Sequence, residues 1–315
     1  MMRQRLAPRG FTLIEVIMVI VSLATLAAAF AVFIRPAVDA YVGSSSRADM
    51  SIQLDGTLRR MLRDVRRAVP NSLRTPGEAC FQLVPAIAGG RYRVGPDRET
   101  DADSCFPQPT PPTAPATSCT AWVDPSQPTM VFDVLSPMSV VPTAAADFVV
   151  INNQNGNDVY NTTSDVNRSG ITAYSAYAAA STMGESRLTI NTMQVSPGYT
   201  AGRFQVVSGN EPSVFYFCEK SSGSGDVDSN GDGRWTLFRA VLPFDASNAN
   251  YPSACPTTAS VTAVPVATRL TRCTFVYNPN QGATQQSGYI WMKLEMSRRG
   301  ESAALIAGGH VMNVP

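Results

Sequence analysis

The chain has 315 residues, 44% of them hydrophobic, and its 25 basic and 24 acidic side chains give a net charge of +1. This length is sufficient for a membrane anchor plus one large domain or two small ones. Because the charge is balanced, no global electrostatic field favours nucleic acid or an acidic substrate, and no nucleic-acid partner is expected.

The first 34 residues divide into a basic leader and an apolar segment. Residues 1–10 contain Arg3, Arg5 and Arg9 and no acid, whereas residues 11–34 carry one charge, Glu15. As a helix, the apolar segment would extend ~36 Å at ~1.5 Å per residue, which is enough to cross a hydrocarbon core of ~30 Å. The arginines predict a cytoplasmic N-terminus, with the rest of the chain exported.

Three interpretations of the apolar segment compete. A secretory signal peptide has an apolar core of only ~7–15 residues, so this segment is too long for one. A simple signal anchor fits the length, but it does not explain Glu15. A carboxylate within a membrane helix costs roughly 2.5–3.5 kcal/mol, and such a residue usually has a partner and a function.

The third interpretation comes from residues 9–20, RGFTLIEVIMVI, which resemble the class III signal of type IV prepilins. The resemblance implies that a prepilin peptidase, which is also the methylase, cuts between Gly10 and Phe11 and methylates the new N-terminus of Phe11. It also implies that Glu15, helped by Thr12, docks onto the Phe11 ammonium of a neighbouring subunit. The two costly charges would then neutralise each other in the filament.

Residues 37–70 are predicted to continue the helix as an amphipathic segment. An apolar stripe recurs at helical spacing, and Pro70 is expected to end it. Five arginines line the other faces. They either contact acidic subunits or lipid headgroups, or form a solvated face with local pairs to Asp55 and Asp64, which is the favoured interpretation. The stripe is Leu58, Met61, Leu62, Val65 and Val69, and the arginines are Arg59, Arg60, Arg63, Arg66 and Arg67.

Residues 71–315 are predicted to form a β-rich globular head. Short β-branched and aromatic runs alternate with turn-rich segments, and residues 289–296 alternate with a period of two. We therefore expect an α+β fold in which a long N-terminal helix packs on a mainly antiparallel sheet, a layout that resembles that of pilins. Its parts would be the leader (1–10), a transmembrane helix (11–36), an amphipathic helix (37–70) and the head (71–315). The Pro-rich residues 107–118 predict an exposed loop, favoured over a polyproline recognition motif.

The six cysteines have an even count and wide spacings, which favour disulfides in an oxidising compartment over buried thiols. They include no closely spaced pair of the kind that binds zinc. The sequence leaves the connectivity open. A Cys105–Cys119 bond could close the Pro-rich loop, and Cys218–Cys273 is the favoured pair because both lie in strand-like runs. Cys80 and the other cysteines of residues 80–119 would then pair locally, with some exchange with Cys255.

Several head segments resemble the O-type minor pilins of the mannose-sensitive haemagglutinin (MSHA) pilus. They are LRRMLRDVRRAVPNSLR, GGRYRVGPD, CTFVYNP and GESAALIAGGHVMNVP. The same layout is similar to W-type minor pilins of type IV pili and to J-type pseudopilins of type II secretion systems. Residues 100–130 and 219–260 depart from this pattern and add loops.

One loop of the head matches the first half of a calcium loop, D-x-D-x-N-G. Its ligands would be Asp226, Asp228, Asn230 and Asp232, but the position of the usual bidentate Glu is Leu237. A polar hairpin tip explains the same residues and is slightly favoured. Calcium is therefore expected as a cofactor only if this loop is a cation site. With His310 as the single histidine and no nucleotide-binding or zinc-protease motif, we expect no enzymatic activity.

These patterns predict a minor pilin that acts at or near the filament tip or in assembly initiation. The alternatives are a type II secretion pseudopilin and a tip-located adhesin or binding module. The expected partners are the prepilin peptidase/methylase, the major pilin and other minor pilins, the inner-membrane assembly platform and, before assembly, membrane lipid. The expected location is the bacterial inner membrane, crossed once with the head in the periplasm, and then the cell-surface pilus.

Overall fold

The computed structural model describes residues 10–161, 167–178, 181–195, 197, 202–244, 254–281 and 287–312. Apart from Gly10, the predicted leader lies outside these residues. One long helix is followed by antiparallel β-sheets, which confirms the α+β class. The chain divides into two compact units, residues 1–50 and 51–315.

Helix α1, Leu13–Arg66, continues through Pro36 without a break. The predicted transmembrane and amphipathic segments, divided at residues 36/37, are therefore parts of one helix. The helix ends at Arg66 rather than at residue 70. The reason lies in the backbone that follows: the amide of Val69 donates to the carbonyl of Val84 at 2.8 Å, and the amide of Ala86 donates to the carbonyl of Arg67, also at 2.8 Å. Strand-like pairing therefore replaces the last helical turn.

The described residues form thirteen strands and two short 3-10 helices. The strands are β1 Arg74–Gly77, β2 Cys80–Leu83, β3 Ala86–Arg91, β4 Thr129–Val134, β5 Phe148–Ile151, β6 Arg168–Ala176, β7 Ser186–Met193, β8 Arg203–Val207, β9 Ser213–Lys220, β10 Trp235–Leu242, β11 Ala263–Gln281, β12 Ser287–Arg298 and β13 Glu301–Met312. The 3-10 helices are Asp103–Cys105 and Asp158–Tyr160.

The strands form two antiparallel sheets, whereas the sequence analysis expected one. The seven-stranded sheet has the order β1-β2-β9-β10-β11-β12-β13, and the six-stranded sheet has the order β3-β8-β5-β6-β7-β4. The second sheet has a core of its own, in which Phe132 and Phe204 pack edge to face at 5.5 Å between ring centroids. Alternation along a strand predicts which face is buried, but it does not identify the sheet to which the strand belongs.

The helical residues from 51 onward pack on the seven-stranded sheet, as the apolar stripe predicted. Leu58, Met61 and Val65 are at most 1% exposed. On the sheet side, a Cβ built on Gly309 of β13 would lie 2.8 Å from Leu62 Cδ2, so the helix approaches that strand closely. Burying each of these large side chains stabilises the fold by about 1.5–3 kcal/mol.

The alternation predicted for residues 289–296 is also present. Ile290, Met292, Leu294 and Met296 are buried in β12, and the residues between them are half-exposed. The register of the pairs β11–β12 and β12–β13 is continuous over most of this strand. A one-residue slip would place this buried set on the opposite face, so the register is strongly determined.

A polar contact also fixes the helix to this sheet. Tyr216 of β9 donates its hydroxyl to Asp64 Oδ2 at 2.7 Å, and Arg239 Nε lies 3.5 Å from the same oxygen. Burial, followed by the charge of Asp64, raises the pKa of the Tyr216 hydroxyl. The expected local pair is present at Asp55, which bonds Arg59 at 2.6 Å, but Asp64 contacts the sheet instead.

Replacement of Asp64 by Ala should lower the free energy of unfolding by about 1–3 kcal/mol, because it leaves the buried Tyr216 hydroxyl without its acceptor. The matched variant Asp55→Ala removes an exposed carboxylate from the same helix and should leave the unfolding midpoint unchanged. Urea unfolding in non-ionic micelles, followed by fluorescence of the tryptophans at 122, 235 and 291, measures both. Equal midpoint shifts in the two variants would show that the Asp64 contact adds no stability.

Candidate functional site

The first turn of α1 is capped by its own sequence. Thr12 precedes the first helical residue, and its Oγ1 accepts a hydrogen bond from the Glu15 amide at 3.4 Å. The Thr12 carbonyl accepts from the amides of Glu15 at 3.1 Å and Val16 at 3.3 Å. Thr-x-x-Glu is the capping-box pattern, which satisfies amides at a helix start that otherwise have no partner. Sequence reasoning assigned Thr12 and Glu15 to subunit docking only and overlooked this local role.

The peptide bond predicted to be cut is exposed. Gly10 is exposed, and Phe11 is 79% exposed. A Cβ built on Gly10 would have no atom of the described residues within 4 Å, apart from its chain neighbours. No packing contact within the described part of the chain therefore requires glycine at position 10.

The helix that follows is apolar on all sides. Over the apolar segment, its large side chains are exposed from Leu13 at 81% to Ile34 at 48%. The most apolar window has a mean hydropathy of 2.7, and none of it is buried. A helix of this length and composition can cross a membrane, and an apolar surface on every side suits contact with lipid or with other apolar helices.

All six cysteines are joined in disulfides, with pairs Cys80–Cys255, Cys105–Cys119 and Cys218–Cys273. The last is the pair that the sequence analysis favoured, and Cys105–Cys119 is the bond that it gave as possible for the Pro-rich loop. Cys80 does not pair locally as expected but bonds a cysteine 175 residues away. The reason is topological: β2 lies beside β9, and an apolar cluster of Cys80, Phe215 and Phe217 packs against Cys255.

The structure does not bring the four predicted calcium ligands together. Asp228 Oδ1 accepts from the amides of Asn230 at 2.8 Å and Asp232 at 2.9 Å. Asp226 accepts from the indole of Trp235 at 3.0 Å, a bond that lowers the pKa of its carboxyl group.

Asp232 is held separately, by the Arg299 amide at 2.8 Å and by Arg269 Nε at 3.1 Å. Among the described residues, no three acidic, Cys or His side chains form a group that could hold a metal ion. The geometry is that of the polar hairpin tip, with Gly231 at a φ of +77°. The three carboxylates accept hydrogen bonds from different donors around the turn.

A buried ion pair, which sequence reasoning missed, lies in the six-stranded sheet. Arg187 Nε donates to Asp133 Oδ1 at 2.8 Å, and Asp133 has no exposed side-chain surface. Tyr177 donates to Asp133 Oδ1 at 2.7 Å, and the Ala121 amide donates to Oδ2 at 2.8 Å. Arg187 Nη2 also donates to the Cys119 carbonyl at 2.6 Å. The only sequence signal was an acid inside the apolar run MVFDVL.

This ion pair fixes the end of the Pro-rich loop to the sheet. Cys119 is bonded to Cys105, and Arg187 Nη1 lies 3.5 Å from the Ala116 carbonyl. Charged groups buried in this way are costly unless they are paired and hydrogen-bonded. The pair is therefore placed where it orders a loop rather than where it fills the core.

No family model, no curated protein and no solved structure matches this chain.

Substitution of Arg187 by Leu should destabilise the head by about 3–5 kcal/mol, because Asp133 is then buried without its cation. Hydrogen exchange at residues 113–124 should become faster, while exchange in β9–β12 should change less. Arg272→Leu is the matched control, since that side chain is 65% exposed in β11 and lies 4.0 Å from Glu78. Unchanged exchange at residues 113–124 in Arg187→Leu would contradict the ordering role.

Proposed function

We propose that the chain is the precursor of a minor, pilin-like subunit of a type IV filament of the MSHA kind, acting in pilus biogenesis at the tip or in assembly initiation. The observation that carries this proposal is the start of α1. An exposed Gly10–Phe11 bond precedes a helix that is apolar on all sides, and a single carboxylate, Glu15, lies in its first turn.

The glycine supports cleavage by a peptidase. No contact among the described residues requires glycine at position 10, so in this proposal the glycine serves recognition by another protein. A peptidase active site that must reach the backbone closely would select a residue with no side chain. Removal of residues 1–10 then leaves Phe11 as an N-terminal ammonium, which the same enzyme methylates.

The free-energy cost of placing the Glu15 carboxylate in a membrane supports docking between subunits. This carboxylate lies at the positive end of the helix dipole, which offsets only about 0.3–1 kcal/mol. The cost is roughly 2.5–3.5 kcal/mol at the centre of a membrane helix and smaller near its end, so the helix dipole offsets only part of it. The described residues show no cation paired with Glu15. The Phe11 ammonium of a neighbouring subunit supplies this cation during assembly, with Thr12 fixing the helix end.

The remaining features agree with export to an oxidising compartment. Three disulfides in the head are typical of periplasmic and surface proteins. In this proposal the protein crosses the inner membrane once, with its head in the periplasm, and then enters the pilus. Its partners are the prepilin peptidase/methylase, the major pilin and other minor pilins, and the assembly platform. A type II secretion pseudopilin would use the same helix start. Deletion of the gene distinguishes the two, because loss of pili indicates a minor pilin and loss of secretion indicates a pseudopilin.

Gly10→Val should block removal of the leader, because it adds a branched side chain at the cut. Since a Cβ at this position would meet no atom of the described residues within 4 Å, the thermal melting of the head should be unchanged. Intact-mass measurement of the membrane-extracted protein would detect residues 1–10. Normal processing of Gly10→Val would show that the peptidase does not read this position.

Glu15→Gln should be processed normally but should enter filaments poorly, because it removes the charge while Gln still completes a capping box. Thr12→Ser keeps the capping hydroxyl and should assemble as the wild type does. Immunoblots of the sheared filament fraction, normalised to the membrane pool, measure incorporation. If Glu15→Gln reaches filaments at the wild-type level, the charge is not required for docking.

A further inference from the structure

One edge of the seven-stranded sheet is long, regular and open. Strand β13 is last in the order of the sheet and, within the described residues, pairs with β12 only. Its 12 residues pair with β12 along their whole length without a register shift. At about 3.3 Å per residue the strand presents an edge of roughly 40 Å, along which alternate backbone amides and carbonyls point away from the sheet.

The other sheet edges in the described part of the chain are short and irregular. Strand β1 has 4 residues, includes Pro76, and shifts register against β2. Strands β3 and β4 have 6 residues each, and each shifts register against its neighbour. A bridge between Tyr92 and Val134 also joins the ends of β3 and β4. Short length, proline and bulges are the features by which proteins keep sheet edges from pairing with other chains.

Strand β13 lacks these features. After Glu301 it contains no proline, lysine or acid, and five of its residues are Ala or Gly. Such small side chains leave the backbone accessible. A Cβ built on Gly308 would overlap the hydroxyl group of Tyr289 in β12, so this ring covers the glycine. An aromatic ring across an edge glycine stabilises the strand without covering its outer backbone groups.

The outer face of the sheet next to this edge is apolar. One row across β11, β12 and β13 consists of Val276, Trp291 and Gly308. Ile306 lies on the same face of β13, and both it and Val276 are exposed, whereas Trp291 is half-buried. The helical residues from 51 onward pack on the opposite face. An apolar side chain of an added strand would therefore pack beside Ile306 and extend this face.

An extended strand is the partner that fits this edge. Its backbone offers donors and acceptors at the spacing of the edge, and alternate side chains would contact the outer apolar face. We propose that β13 binds an extended segment of another protein, with apolar side chains at alternate positions, by adding it to the seven-stranded sheet. The inference concerns the sheet, and it depends neither on removal of the leader nor on Glu15.

A second copy of this chain fits the edge less well. Two β13 strands that pair in antiparallel fashion are related by a two-fold axis perpendicular to the sheet. Because residues 51–66 pack on a face of that sheet, these helical residues would point in opposite directions in the two copies. Two chains anchored in one membrane by the preceding residues must enter it from the same side. The observations therefore favour a different polypeptide.

Hydrogen exchange with a defined probe tests strand addition. The probe is a synthetic peptide of residues 287–298, because this sequence already pairs with β13 on its other side and has buried apolar residues at alternate positions. It would be added to the full chain in non-ionic micelles. Exchange at residues 301–312 should slow, and exchange at residues 129–134 should not change. A peptide with proline at alternate positions cannot donate those hydrogen bonds and should not bind.

Two variants test the assignment to this edge. Ile306→Lys places on β13 the kind of charge that protects natural edges, and it should weaken binding of the peptide about fivefold to tenfold. Val264→Lys is the matched control, since it changes an exposed valine near the start of β11, and it should bind within twofold of the wild type. Thermal melting of both variants checks that the head is folded.

Four results would overturn the proposal. They are unchanged exchange at residues 301–312 with the peptide, slowing that is confined to other strands, equal binding by the proline peptide, and equal weakening in Ile306→Lys and Val264→Lys. A dimer that forms without the peptide and is lost in Ile306→Lys but not in Val264→Lys would assign the edge to a second copy instead. Sedimentation of the two variants in micelles measures this.

Discussion

The carboxylate of Glu15, in the first turn of an otherwise apolar helix, is the constraint on which the proposed function depends. Left alone in a membrane, it costs more than the helix dipole can offset. Thr12 accepts hydrogen bonds from backbone amides of the same turn, so these amides have a partner within the chain. Among the described residues, the carboxylate of Glu15 has no cation as a partner. A cation from another molecule resolves this imbalance, and cleavage at Gly10 would create one at Phe11. The processing step and the assembly step are then parts of one electrostatic arrangement.

The head uses buried polar contacts in two different ways. Asp64, Tyr216 and Arg239 join the helical residues from 51 onward to the seven-stranded sheet, where apolar packing already holds them. Asp133 and Arg187, in contrast, hold the end of the Pro-rich loop through the carbonyl of Cys119. The first contact reinforces the fold, and the second orders a surface.

Much of the fold could be predicted because it depends on local periodicity. The stripe from Leu58 to Val65 and the alternation in β12 are present in the structure as expected. The division into two sheets, the Cys80–Cys255 bond and the end of α1 at Arg66 depend on contacts between distant segments, which local patterns do not encode. In the acidic loop at 226–233, a local sequence pattern did not predict the contacts of the side chains. Its spacing resembles a cation site, yet the side chains bond separate donors.

The intact mass and N-terminal residue of the wild-type protein, extracted from its native membrane and filament fractions, test the central claim most directly. The account predicts a chain that begins at Phe11, carries one methyl group on its terminal nitrogen and is found in both fractions. A chain that retains residues 1–10, or one that begins at a residue other than Phe11, would contradict it.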